Sequence, residues 1–208
     1  MPLDPSRDCS LCPRLSAFHA ANRAAHPDWH NAPVPAFGPL DARLLIVGLA
    51  PGLKGANRTG RPFTGDYAGD LLYATLLKLG LADGVYDRRP DDGLKLQDCR
   101  ITNAVRCVPP ENKPTPAEAK SCGDFLRKEI NAMKRLKTLL VLGRISHEAS
   151  LRALGLKPGL YTFGHGKIHD LPTGIHLVDS YHCSRYNTQT NRLTAAMFEQ
   201  AVRAAANK

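Results

Sequence analysis

Short, almost wholly apolar runs alternate along the chain with longer stretches in which apolar positions recur every three or four residues. Four runs, Leu44–Gly48 (LLIVG), Arg100–Val105 (RITNAV), Thr138–Gly143 (TLLVLG) and Ile175–Ser180 (IHLVDS), have the length and character of strands buried on both faces. Helical periodicity covers about Ala68–Leu79, Pro116–Leu136, Ser146–Leu154 and the stretch from near Thr190 to Ala205. Thr115-Pro-Ala-Glu118 opens the second of these with the spacing of a capping box and proline at the first helical position. Strands alternating with helices predict an α/β fold, an open parallel sheet covered on both faces. Residues 1–40 carry Cys9-x-x-Cys12 and HPDWHNAPVPAFGPL without a clean period. They predict an irregular arm wrapped on the surface of a single domain spanning 1–208, with the core running from about Asp41.

Ligands of such sheets bind beyond the carboxyl ends of the strands. Three chemically capable segments are expected there. The loop after the first strand, LAPGLKGANRTGRPFTGD, is rich in glycine yet fits neither a phosphate-binding Walker loop nor a dinucleotide fingerprint. It crowds Asn57, Arg58, Arg61, Phe63 and Asp66 together, and an aromatic among basic residues suits a base above a phosphate chain. Asn103 stands near the end of the second strand, and the last strand runs into Tyr181-His182-Cys183-Ser184-Arg185. A histidine at a strand's carboxyl end beside a glycine-rich loop is a candidate acid–base or hydrogen-bonding group. The other seven histidines, His165 and His169 among them, have no such placement and receive no role.

Composition narrows the partners. Of 208 residues, 43% are hydrophobic and 23% charged, the balance of a globular protein rather than a disordered chain. No run approaches the ~20 apolar residues that cross a bilayer, and the first ten residues hold no apolar signal. A cytoplasmic protein is expected, a monomer by default. Twenty-eight Lys and Arg against 19 Asp and Glu give a net charge of +9, which suits a nucleic-acid partner or a merely basic surface. The six cysteines are not expected to form disulfides in such a compartment. Cys9, Cys12, Cys107 and Cys122 could meet if the arm folds back, and four thiolates hold either zinc or an iron–sulfur cluster. Zinc is the default on spacing, and packing of Cys122 inside its helix is the alternative. Cys99 reads as a buried small hydrophobe.

Four motifs in this order, GLAPG (48–52), NRTGRPFTGD (57–66), ITNAVRCVPP (101–110) and YHCSRYNTQTNRLT (181–194), resemble the uracil-DNA glycosylase superfamily. More narrowly, they resemble its family-5 type, which carries a 4Fe-4S cluster. The resemblance covers the chain from Cys9 to the last helix. It implies a three-layer α/β/α sandwich around a four-stranded parallel sheet, Cys9, Cys12, Cys107 and Cys122 as cluster ligands in place of zinc, and DNA as substrate. The resemblance further implies that such a cluster would order chain near the DNA and would not act as a redox catalyst. The family-4 type has a glutamate after the first motif glycine; here Leu49 stands there, leaving Asp66 as the candidate carboxylate.

Site roles follow from the same resemblance. Gly48, Ala50, Pro51 and Gly52 line the base pocket, with the backbone amides of 50–52 as donors. Phe63 stacks on an extruded base and Asn103 reads its polar edge. His182 donates to the base oxygen that gains charge, and Asp66 favours the cationic sugar or orients water. Arg58 and Arg61 hold phosphates, while Ser184, Arg185 and Asn187 belong to a loop entering the minor groove. No motif lysine is placed to form a Schiff base, so base release without strand cleavage is expected, on uracil and on other deaminated bases such as hypoxanthine and xanthine. One departure is visible. Cys183 follows His182 where the motif usually has proline, and it reads as a quiet loop residue.

Overall fold

The computed structural model describes residues 2–208. In chain order the elements are α1 (Pro13–Ala25), β1 (Leu44–Gly48), α2 (Ala56–Thr59), α3 (Tyr67–Lys78), β2 (Ala82–Asp83), β3 (Lys95–Leu96) and β4 (Cys99–Asn103). They continue with α4 (Pro116–Ala132), β5 (Thr138–Leu142), α5 (Arg144–Ala153), β6 (Ile168–Asp170), β7 (His176–Ser180), α6 (Arg185–Gln189) and α7 (Ala195–Ala206). The main sheet has the order β4-β1-β5-β7-β6, and β2 and β3 form a separate small hairpin. The four apolar runs are the four parallel strands, as their patterning requires. A fifth strand corrects the expected count. β6 pairs antiparallel on the edge of β7, too short and too polar for its alternation to register.

Both faces of the sheet are covered, which makes the α/β/α sandwich. Leu44 and Ile46 point into one layer, with Leu72, Tyr73 and Leu76 of α3 and Phe198 and Val202 of α7. Leu45 and Val47 point into the other, with Leu126 and Ile130 of α4 and Leu151 of α5. Every residue of β1 and β5 is buried, so truncating one of these leucines to alanine should cost about 2–5 kcal/mol. The capping box at Thr115 forms as expected: its hydroxyl accepts from the Glu118 N–H, and Glu118 accepts from the Thr115 N–H.

Two expectations need correction. The amino-terminal arm is not irregular throughout, since Pro13 starts the 13-residue α1. Its apolar face is narrow, with Leu15 as the buried aliphatic anchor, and this hid the helical period. Arm residues are fixed by backbone pairing: the N–H groups of His30 and Asn31 donate to the carbonyls of Arg58 and Asn57, and Phe37 bridges Ile101 on the outer edge of β4. That bridge covers a strand edge otherwise open to pairing with another chain. The last helical stretch is likewise broken, into α6 and α7, with Asn191 at φ 55° between them. Among the described residues no helix is long and apolar enough to cross a membrane.

Candidate active site and thiol cluster

The carboxyl ends of β1, β4 and β7 lie at the same edge of the sheet. Gly48 is in register with Asn103, and pairing continues past the strands because Ala104 and Val105 donate to the carbonyls of Gly48 and Leu49. β1 sits where the strand order reverses, the position at which open α/β sheets leave a crevice. A cavity of about 260 Å³ opens there, reached by Ala50, Pro51, Gly52, Phe63, Asp66, Asn103, His182, Ser184 and Arg185. A larger groove, about 720 Å³, lies on the outside between α4 and α5. It is lined by Ala119, Gly123 and Ile145 together with Asp124 and Glu148, which are ion-paired along their own helices to Arg127 and Arg152.

Glycine at 48 is a steric requirement. A Cβ there would collide with Asn103 Oδ1 and stand 2.6 Å from the Phe63 ring. Phe63 is held at φ 53°, a left-handed backbone that costs an ordinary residue free energy and persists only where its surroundings enforce it. The enforcement is visible. Tyr73 donates to the Pro62 carbonyl at 2.6 Å and Tyr86 to the Phe63 carbonyl at 3.2 Å. The Phe63 ring then lies nearly parallel to His182, with centroids 6.0 Å apart.

Arg61 departs from its expected role. Its guanidinium is buried, bidentate to Asp92 at 2.7 Å and 2.7 Å, with Nε donating to Thr64 Oγ1. The rings of Phe37, Tyr73 and Tyr86 surround it at 5.1–5.8 Å. Against the opposing cost of burial, the Arg61 hydrogen bonds hold the Asp92 carboxyl well below the usual carboxylate range. Such a group cannot meet a phosphate; it pins the glycine-rich loop from behind. Arg58 is exposed and remains free to do so.

The polar groups of the cavity have distinct environments. Asn103 is buried, and among the described residues its Oδ1 has no hydrogen-bond partner, an exception among buried acceptors that points to a missing donor. Burial pushes the His182 imidazole down to about 4, so the ring is neutral at physiological pH. Asp66 caps α3, accepting from the Gly69 N–H at 3.1 Å. Burial raises its pKa, with the Asp70 charge adding to the effect and the Gly69 bond opposing it. A Cβ at Gly55 would strike the Asp66 carboxylate, so the loop must pass it as bare backbone. Ser184 caps α6, and Asn187 turns inward, donating from Nδ2 to the His182 carbonyl at 2.8 Å. Arg185 lies over the Tyr67 ring at 5.4 Å. Lys54 is exposed and does not line the cavity.

Two polar lining residues escaped the sequence reading. Tyr67 forms part of the rim and its hydroxyl accepts from Thr188 Oγ1 at 3.1 Å. Asn112 reaches the cavity from the turn Pro110–Asn112, where Glu111 and Asn112 take φ 55° and 57° in succession. The only hint in the sequence was the proline punctuation around Glu111-Asn112-Lys113. Cys183 is fully buried, with burial pushing its thiol up and Sγ donating to the Ala68 carbonyl.

Cys9, Cys12, Cys107 and Cys122 do converge. They line one small cavity with Leu15, Val105 and Phe125, between α1, α4 and the chain leaving β4. Burial pushes the Cys122 thiol up to about 11 and raises Cys107 and Cys12, with the neighbouring thiols adding to the rise at Cys107. Thiols so placed become thiolates only when something cationic is shared among them. Among the described residues no three of these sulfurs lie within 4.8 Å of one another. A single zinc ion with ~2.3 Å bonds would draw four sulfurs to roughly 3.8 Å separations. The donor set therefore fits a larger, four-thiolate group better than a lone ion. Behind it, Glu129 is fully buried between Arg100 (2.7 Å) and Arg106, and Arg106 also binds Asp4 at 2.8 Å, which locks the chain next to Cys107.

Over residues 35–206, which include every residue lining the cavity, the sequence matches the model of the uracil DNA glycosylase superfamily. The chain belongs to that superfamily. It is 46% identical to the type-5 uracil-DNA glycosylase of Thermus thermophilus over 91% of this chain and 89% of that protein. The type-5 enzyme of Pyrobaculum aerophilum is 37% identical over 96% and 88%, respectively. The type-4 uracil-DNA glycosylase of Archaeoglobus fulgidus, 32% identical, aligns with 66% of the chain.

Proposed function

We propose that this protein hydrolyses the N-glycosidic bond of uracil in DNA, and of hypoxanthine and xanthine, leaving an abasic site. The observation that carries this reading is the Asn103 amide, buried with its Oδ1 unpaired, in the wall of a cavity that also holds a neutral His182. Deamination converts a ring nitrogen that accepts a hydrogen bond into a lactam N–H that donates one. An orphan acceptor therefore welcomes uracil, hypoxanthine and xanthine and repels cytosine and adenine, while the Asn103 amide N–H₂ can serve the adjacent carbonyl.

The target nucleotide leaves the stack, because its glycosidic bond is inaccessible in a duplex, and its base slides against Phe63. The C1′–N bond breaks with its electron pair going to the base, and a base oxygen becomes negative. Neutral His182 donates its ring N–H to that oxygen without transferring the proton, and the Ala50 and Gly52 amides add further donors; Pro51 has none. The sugar becomes cationic. Ionised Asp66 stabilises it and orients the water that delivers hydroxide to C1′, the remaining proton passing to the leaving base or to solvent. With Lys54 outside the cavity, no amine competes with water for C1′. Arg58 and Arg185 contact phosphates and the minor groove. Cys9, Cys12, Cys107 and Cys122 hold a 4Fe-4S cluster, which when bound ties α1 and α4 to the loop bearing Asn112 and contributes folding free energy.

Matched duplexes with one G·U pair, one T·hypoxanthine pair or no lesion test this, with alkali added after incubation. Release from both lesions, dependent on His182 and Asn103, is the expected result, with no strand breaks before alkali. Release from uracil alone would narrow the substrate. Release from neither, by protein with its iron intact, would refute the enzyme reading.

A further inference from the structure

Outside the cavity, three metal-ligating side chains meet behind β7: His147 of α5, His169 of β6 and Asp179 of β7. Their ligand atoms all lie within 4.8 Å of one another, and the side chains are 1%, 9% and 0% exposed. Asp179 is thus a fully buried carboxylate, and neither lysine nor arginine pairs with it among the described residues. A buried charge needs a countercharge. It comes either from a protonated imidazole or from a cation shared by the three groups.

The contacts of His147 suit either, and the convergence of three ligand atoms within 4.8 Å favours the cation. His147 Nε2 stands 2.9 Å from the Tyr161 carbonyl, so this nitrogen carries a proton. In the neutral ring Nδ1 then presents a lone pair to Asp179 Oδ1 at 2.7 Å, two acceptors face to face. A divalent ion between them turns that repulsion into two bonds. The surroundings suit ligation too. A ligand imidazole commonly donates its second N–H to a carbonyl, as His147 does to Tyr161, and ligand carboxylates are themselves hydrogen-bonded, as Asp179 Oδ2 is by the Gly164 N–H at 3.0 Å. A solvent-facing groove of about 410 Å³, lined by His147, Tyr161 and Phe163, reaches the cluster on its His147 side.

We propose that His147 Nδ1, His169 Nε2 and Asp179 form a zinc site, with water as the fourth ligand. Two imidazoles and a carboxylate are a common zinc donor set, and bonds of ~2.0–2.1 Å would place ligand atoms roughly 3.3 Å apart. The present 2.7 Å and 3.2 Å contacts to Asp179 must open by a few tenths of an ångström, within reach of side-chain rotation. The ion staples α5 and β6 to β7 three residues before His182. The following segment is held in turn, since Tyr181 N–H donates to His165 Nδ1 and Arg192 covers the Tyr181 ring at 4.6 Å. The site is structural and braces the strand end from which His182 projects. It stands independently of the proposed base specificity.

Zinc and iron are measured in purified wild-type protein supplied with micromolar zinc, beside His147→Leu, Asp179→Asn and His169→Gln. Zinc-edge X-ray absorption reports the ligand atoms. The expected result is one zinc per chain with a nitrogen and oxygen shell, and zinc affinity at least a hundredfold weaker in each variant at unchanged iron content. Added zinc should raise the wild-type Tm and leave the Asp179→Asn Tm unmoved. His169→Gln, at the partly exposed edge, keeps the test decisive should the two core variants misfold. No bound zinc in iron-replete protein overturns the proposal and leaves a protonated His147 as the countercharge. Zinc with a sulfur shell that persists in the variants overturns it equally, since that ion sits on cysteines.

Discussion

Replacing Arg61 separates two accounts of the glycine-rich loop. As a phosphate contact, Arg61→Met would weaken DNA binding and lower the salt dependence of log K by ~0.9, the value of one phosphate neutralised, with no effect on folding. As a buried partner of Asp92 it should act on the fold. The guanidinium is 5% exposed, makes two 2.7 Å bonds to a carboxylate that is itself 1% exposed, and fills the space between three aromatic rings. Removing one member of such a pair strands the other charge and costs about 3–5 kcal/mol. At ~2–4 °C per kcal/mol for a chain of this size, Tm should fall by roughly 6–20 °C. Neutralising the stranded carboxylate should return more than half of that loss. Asp92→Asn does so while keeping an acceptor for one of the two N–H groups, of Asp87 and Leu94, that the carboxylate oxygens hold separately. Calorimetry of Arg61→Met and of the double variant reads the first quantity, and abasic-DNA binding between 50 and 200 mM salt reads the second. Arg58→Ala is the control whose salt slope should drop. An Arg61→Met protein of unchanged Tm whose salt slope falls by about one would refute the structural reading.

Other expectations are equally direct. His182→Ala should lose ~10²–10³ in kcat while binding abasic DNA as the parent does, measured by single-turnover base release. Gly48→Ala drives a methyl into Asn103 and Phe63, so kcat/KM should collapse together with about 1–3 kcal/mol of stability. Asp66 acts ionised and its pKa is raised, so the acid limb of the rate profile should fall at a pH above the ordinary carboxylate range; an Asp66→Asn profile should lack that limb. His182 and His19 titrate near 4 when folded and near 6.5 when unfolded. The unfolded chain therefore binds the extra protons between those values, and stability should decline as pH falls from about 6.5 towards 4. Cys107→Ser should cost iron and stability together, seen as loss of visible absorption and a lowered Tm.

Much of this protein is legible in its sequence, and for a physical reason. Strands buried on both faces must be apolar throughout, so LLIVG and TLLVLG announce a parallel sheet without any knowledge of their neighbours. The Thr115–Glu118 box is equally local, a hydrogen-bond exchange completed within one turn. Site residues at strand ends follow from topology: once β1, β4 and β7 run parallel in one sheet, Gly48, Asn103 and His182 reach the same edge.

Partnerships between distant residues are another matter. Arg61 reads as a phosphate ligand until Asp92, 31 positions away, takes both ends of its guanidinium. Asn112 gains its place in the cavity from two left-handed residues whose conformation no propensity signals. His147, His169 and Asp179 are unremarkable in three separate segments and become a cluster only when α5, β6 and β7 pack. Residue type and period are written along the chain, and they determined the layers of this fold and the edge where its site lies. Which charge each buried group would meet was decided by packing, because burial and a partner's approach exist only in three dimensions.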